Sequence, residues 1–88
     1  MKPVCLVIGA GAGIGGNVAK RFAMAGYHAV LCRRSDAEGL ERMVEEINAA
    51  GGTASGYLLN AVEDGTIEDR VATIEAEVGG IEVAVYNL

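Results

Sequence analysis

The sequence predicts an α/β fold, a parallel sheet with helices on both faces, and three observations lead there. Four short apolar runs, rich in β-branched residues, punctuate the chain at Val4–Ile8, His28–Cys32, Thr53–Leu59 and Ile81–Tyr86. Between them lie stretches whose apolar residues recur every three or four positions, the period of a helix buried on one face. A glycine-rich run, Gly9-Ala10-Gly11-Ala12-Gly13-Ile14-Gly15-Gly16, joins the first strand to the first helix.

Val4 to Ile8 is continuously apolar, as a strand covered on both faces must be. From Gly13 the spacing of Ile14, Val18, Phe22 and Ala25 predicts the first helix, stopped by Gly26. His28 to Cys32 is the second strand. Ser35, three residues before Glu38, reads as a capping box opening a second helix with Leu40, Met43 or Val44, and Ile47 inward, closed by Gly51-Gly52. Thr53 to Leu59 is a weaker strand because Gly56 interrupts it. Thr66 with Asp69 resembles another cap, and Ile67, Val71, Ile74 and Val78 form the inner stripe of a third helix ending at Gly79-Gly80. Ile81 to Tyr86 is the fourth strand.

The order βαβαβαβ, with right-handed crossovers, gives a Rossmann-like parallel sheet of strand order 3-2-1-4. In that order strand 4 is an edge, yet Val83-Ala84-Val85 are residues of a strand covered on both sides. The sheet is therefore expected to be incomplete, with residues 1–88, either a fragment or a truncated reading frame, the N-terminal portion of a dinucleotide-binding domain that naturally continues after Leu88. The open edge of strand 4 is then also a place where copies of the chain could associate as a homo-oligomer.

Composition narrows the function classes. An apolar fraction of 51% against 22% charged residues fits a folded core. Twelve acidic and seven basic residues leave a net charge of −5, which repels nucleic acid and anionic membrane, so an anionic ligand must be held by local geometry. No apolar run approaches the ~18 residues of a membrane span. Met1-Lys2-Pro3 leads directly into a strand without a secretory leader, and a cytoplasmic location is expected. Cys5 and Cys32 lie inside strands, where buried reduced thiols are expected rather than a disulfide or metal site.

The glycine run has what a phosphate cradle requires: converging backbone N–H groups, no side chains in the ligand's path, and the partial positive charge of a helix N-terminus. Gly9 lets the chain leave the strand, Gly13 lets a pyrophosphate approach, and Gly15 or Gly16 lets the helix pack closely on the sheet. Its position after a strand and before a helix strengthens the motif. Three spacings overlap. Gly11, Gly13 and Gly16 spell the GxGxxG of dinucleotide dehydrogenases, Gly9, Gly11 and Gly13 the GxGxG of S-adenosylmethionine-dependent methyltransferases, and Gly9, Gly13 and Gly15 spell GxxxGxG. The end of strand 2 helps decide. Where NAD-binding folds and many methyltransferases place a carboxylate for ribose hydroxyls, this chain has Cys32 followed by Arg33-Arg34. Guanidinium groups pair with a 2′-phosphate through charge-assisted bonds, so NADP(H) is favoured over NAD.

With GxxxGIG at Gly9 to Gly15, Cys32-Arg33-Arg34 at a strand end and Val85-Tyr86-Asn87 where an NNAG tetrad would open, the chain resembles the N-terminal part of a short-chain dehydrogenase/reductase. The resemblance implies a small-molecule dinucleotide as partner, bound by Gly9, Gly11, Ala12, Gly13, Ile14, Gly15, Arg33, Arg34, Asn60, Ala61 and Asn87. Asn60-Ala61 stand where the family commonly has Asp-Val against adenine, and an amide can make that contact. Other positions depart from the pattern: Ile8 replaces a Thr, Ala12 a residue that is basic in some NADP-preferring members, and Tyr86 and Leu88 the first Asn and the Ala of the tetrad.

The resemblance further implies hydride transfer between nicotinamide and a carbonyl or alcohol, assisted by a Tyr and Lys four apart with an upstream Ser. These 88 residues contain no such pair, since the tyrosines are Tyr27, Tyr57 and Tyr86 and the lysines Lys2 and Lys20. The chain alone is therefore expected to be inactive. His28 reads as a packing or surface residue, Glu45-Glu46 and Glu63-Asp64 as solvated helix positions, and neither Ser35 nor Ser55 has an adjacent base in sequence. The lack of catalytic groups also fits a non-catalytic dinucleotide sensor; a methyltransferase is disfavoured by the missing carboxylate at Cys32.

Overall fold

A computed structural model describes residues 2–9, 14–59 and 66–86, with the side chains of Ile14, Thr66 and Ile67 outside that description. The elements follow the expected alternation: β1 (Val4–Ile8), α1 (Ile14–Met24), β2 (His28–Arg33), α2 (Ala37–Ala49), β3 (Thr53–Leu58), α3 (Thr66–Glu77) and β4 (Ile81–Tyr86). All strand pairs are parallel and the sheet order is β3-β2-β1-β4. The first two crossovers step outward from β1 to β3, and the third returns to its other side. With right-handed connections, that reversal places α1 and α2 on one face and α3 on the other.

The core divides accordingly. Cys5 and Val7 of β1 and Ala29 and Leu31 of β2 pack with Ala19, Ala23, Leu40 and Ile47 on the α1/α2 face. Val4, Leu6, Ile8, Val30 and Cys32 face the other way, against Ile74 of α3. Continuous apolarity in β1 is thus explained, since successive side chains enter different cores. The alanines of the first face let the helices approach closely. Gly56 belongs to the same packing: a Cβ there would stand 2.9 Å from Leu40 Cγ and 3.1 Å from Val44 Cγ2, so the glycine admits α2 onto β3. The two thiols lie in opposite cores and are reduced.

Several local expectations are corrected. The N-cap of α2 is Asp36, not Ser35; the Asp36 carboxylate accepts a bond from Gly39 N at 3.1 Å. The side chain one residue later can reach the helix because Asp36 adopts φ 65°, ψ 66°, a left-handed conformation that Asp tolerates better than most residues. Ala25 lies beyond α1 and is exposed, so the buried stripe of that helix is Ala19 and Ala23, with Val18 and Phe22 half-buried beside it. Thr66 is already helical rather than a residue preceding the helix. In β4 a register shift between Val4 and Cys5 skips Glu82 and puts Ile81 on the α3 side but Val83 and Val85 on the α1/α2 side. Within residues 1–88 Val83 and Val85 are half-buried. Ala84 and Tyr86 are exposed, and β4 pairs only with β1 among the described residues.

Candidate functional site

Parallel register brings the C-terminal ends of all four strands to one edge. Ile8 lies beside Cys32 on one side and Tyr86 on the other, and Arg33 lies beside Leu58. Two bonds extend the ladders past the strand ends: Gly9 N donates to the Cys32 carbonyl at 2.9 Å, and Leu59 N to the Arg33 carbonyl at 2.7 Å. The chain therefore leaves β1, β2 and β3 at nearly the same level. Beside β1 the connections diverge to opposite faces, which is where doubly wound sheets form their ligand crevice.

Gly9 has φ 89°, a conformation costly for a side-chain-bearing residue, and it turns the chain toward α1. Gly15, in the first turn of α1, is buried, whereas Gly16 is half-exposed and lines a groove of about 190 Å³ with Asn17, Lys20, Met43, Glu46 and Ile47. Close packing is thus served by Gly15 and not Gly16. Ile14 opens the helix. Gly11, Ala12, Gly13, Asn60, Ala61 and Asn87, like Glu63-Asp64, lie outside the described residues.

The end of β2 differs from its sequence reading. Cys32 is fully buried among the residues under α3, and burial pushes its thiol up to about 11 despite the opposing influence of Arg70. Whatever stood at 32 would face the core rather than the crevice. Arg33 is the first β2 side chain to emerge, 22% exposed, with Arg34 fully outside. Arg33 Nη1 lies 3.5 Å from Asp36 Oδ2, whereas Arg34 makes no ion pair among the described residues. On the other face, Arg70 of α3 sits 4.9 Å above the centre of the Tyr57 ring, a cation–π contact that carries positive charge to the same end of the sheet. Neither Asp36 nor Arg70 stands out in the sequence. Asp36 shares its neighbourhood with a better-spaced Ser–Glu pair, and Arg70 meets Tyr57 only through the crossover.

The structure also joins two residues that are unrelated in sequence. His28 Nε2 is 2.7 Å from Ser55 Oγ across β2 and β3, at the opposite end of the sheet. Burial lowers the His28 pKa from its ordinary value, and Lys2 adds to the effect. Among the described residues no carboxylate orients the ring, and the pair serves as a cross-strand bond rather than a nucleophile and its base.

A parallel sheet reversing beside β1, a glycine turn at its first strand end and a cationic side chain at its second define a Rossmann-like α/β protein. Comparison with known proteins gives the family. Residues 3–88 match the model of the short chain dehydrogenase family, and the chain belongs to it. It is 35% identical over 86 residues to a granaticin polyketide synthase putative ketoacyl reductase of Streptomyces violaceoruber, covering 98% of this chain and 31% of that protein. It is 34% identical over 84 residues to a (2S)-[(R)-hydroxy(phenyl)methyl]succinyl-CoA dehydrogenase subunit of Thauera aromatica, covering 96% and 33%. Among solved structures, an actinorhodin polyketide ketoreductase variant with NADPH superposes with a TM-score of 0.89 at 34% identity, over 98% of this chain and 33% of that one. A metagenomic short-chain oxidoreductase in complex with NADP gives 0.86 at 32%, over 93% and 37%. The chain thus spans about a third of these relatives' length.

Proposed function

We propose that this chain is the NADP(H)-binding portion of a short-chain oxidoreductase that moves a hydride between nicotinamide and a carbonyl or alcohol substrate. The observation that carries this reading is Arg33, emerging from the end of β2 beside the chain's exit from β1 at Gly9. The donor set fits the cofactor. Backbone N–H groups at the start of α1 suit a pyrophosphate, and the positive φ of Gly9 with a buried Gly15 suits a turn that must stay clear of side chains. Guanidinium groups at 33 and 34 suit a 2′-phosphate, and no carboxylate in β2 competes for that place. Both superposed relatives named above hold NADP or NADPH, which supports the same choice.

In this reading Gly9, Gly11, Ala12, Gly13, Ile14 and Gly15 cradle the pyrophosphate and Arg33 and Arg34 hold the 2′-phosphate. Asn60 and Ala61 border the adenine, and Asn87 continues the crevice past β4. The bound nicotinamide supplies the hydride, and proton transfer belongs to residues other than these 88. The exposed edge of β4, with Ala84 and Tyr86 uncovered, is the surface we assign to a second copy or a further strand.

Titration of the intact protein with NADPH and NADH tests the assignment. The wild type is expected to prefer NADPH, and Arg33→Ala to weaken NADPH by about 10- to 100-fold, the worth of one charge-assisted bond, with a much smaller change for NADH. Equal losses for the two cofactors would refute the contact.

A further inference from the structure

Arg33 is not left to find its own orientation. The chain turns after β2 through Arg34 and Ser35 to Asp36, the one non-glycine residue with positive φ among those described. From that position the carboxylate is divided between two partners: Oδ1 accepts from Gly39 N at 3.1 Å, and Oδ2 faces Arg33 Nη1 at 3.5 Å. Gly39 is buried in the first turn of α2. A Cβ there would collide with the Asp36 carboxylate and stand 2.7 Å from Arg33 Nη1. The guanidinium therefore occupies the space that any other residue at 39 would fill, clasped between a bare stretch of helix and the capping carboxylate.

We propose that Asp36 and Gly39 are positioning residues that hold Arg33 for a 2′-phosphate, and so help set the preference between phosphorylated and unphosphorylated dinucleotides. This rests on the proposed function of Arg33. Asp36 Oδ2 faces one terminal nitrogen, and of the five N–H donors on the guanidinium fork four remain if one points to Asp36, so the ion pair orients the group without exhausting its donors. A free arginine would have to be ordered when ligand arrives; here much of that ordering is complete beforehand, which is how preorganisation raises affinity. The same carboxylate also repels a phosphate. With Asp36 53% exposed, solvent screens that repulsion, and orientation dominates.

The test is calorimetric titration of the intact protein with adenosine 2′,5′-bisphosphate and with 5′-AMP, a pair differing only in the 2′-phosphate. Wild type is expected to favour the bisphosphate. Asp36→Asn retains a good N-cap, tolerant of left-handed backbone, but loses the ion pair; Gly39→Ala displaces the clasp while favouring helix. Each variant is expected to lower the bisphosphate-to-AMP affinity ratio by about three- to tenfold, with Asp36→Asn melting close to wild type. A residue serving only as a helix cap would alter the melting temperature and leave the ratio alone. Unchanged ratios in both variants, beside a wild-type preference, would overturn the positioning role and leave the cofactor assignment standing. A higher ratio in Asp36→Asn would overturn it by showing that repulsion dominates. A wild type that does not distinguish the two ligands would overturn the cofactor assignment, and this inference with it.

Discussion

His28 shows at the level of one residue how the fold changes a side chain's chemistry. Its ring bonds Ser55 at 2.7 Å, and burial together with Lys2 lowers its pKa below the ordinary 6.5. The unfolded chain then binds more protons than the native one between the depressed value and 6.5, so stability rises with pH across that interval. The contribution is complete above 6.5 and is lost as the pH falls through the native value. His28→Gln keeps an amide for Ser55 but does not titrate. The drop in melting temperature between about pH 7.5 and pH 5.5 is expected to be smaller in this variant than in wild type. Identical drops would show that His28 is not the source. Cys32 carries the same lesson without a titration in the physiological range: its neighbours in sequence suggest a ligand-reading position, but alternation along β2 turns it into the core, and Arg33 is the side chain that emerges there.

Among the elements, α2 and β3 depend most on one another. β3 was legible as a strand only weakly, and Gly56 is the reason it was weak and the reason it works, since Leu40 and Val44 occupy the space above it. Gly56→Ala would gain strand propensity but force α2 outward. The expected outcome is destabilisation by about 1–3 kcal/mol, the usual cost of overpacking, read by chemical denaturation. A neutral or stabilising result would mean that Leu40 and Val44 can re-pack without cost. The three helices were legible from their periodicity and terminal glycines, because a helix needs only a stripe of apolar residues and a stop. The start of α2 was not, because the Ser35–Glu38 spacing pointed to Ser35, whereas the left-handed backbone that makes Asp36 the cap is not revealed by residue types.

For the whole molecule, topology decides both where the proposed ligand crevice lies and where stability concentrates. β1 and β2 hold the centre of the sheet and bury side chains on both faces, whereas β4 exposes alternate residues. Amide exchange is expected to be slowest across Val4–Ile8 and Val30–Cys32 and faster along β4, as measured by hydrogen–deuterium exchange with mass spectrometry. Comparable protection of β4 would indicate that its open edge is covered in solution. The net charge of −5 still matters: in the proposed function a dinucleotide would approach an acidic molecule, so its binding would rest on the local N–H groups and arginines at one end of the sheet.

The sequence by itself determined the alternation of strands and helices, the parallel sheet with order 3-2-1-4 and the glycine turn at its first strand end. Each is written in local periodicity and punctuation, and the chirality of crossovers leaves few ways to assemble them. Only the tertiary structure decided which side chains reach the crevice and what holds them. That Cys32 turns inward, that Arg33 is clasped by Asp36 over Gly39, and that Tyr57 meets Arg70 across a crossover depend on register and helix placement. A pattern of residue types does not carry those relations, because they join residues through space that are related neither by the period of a strand nor by that of a helix.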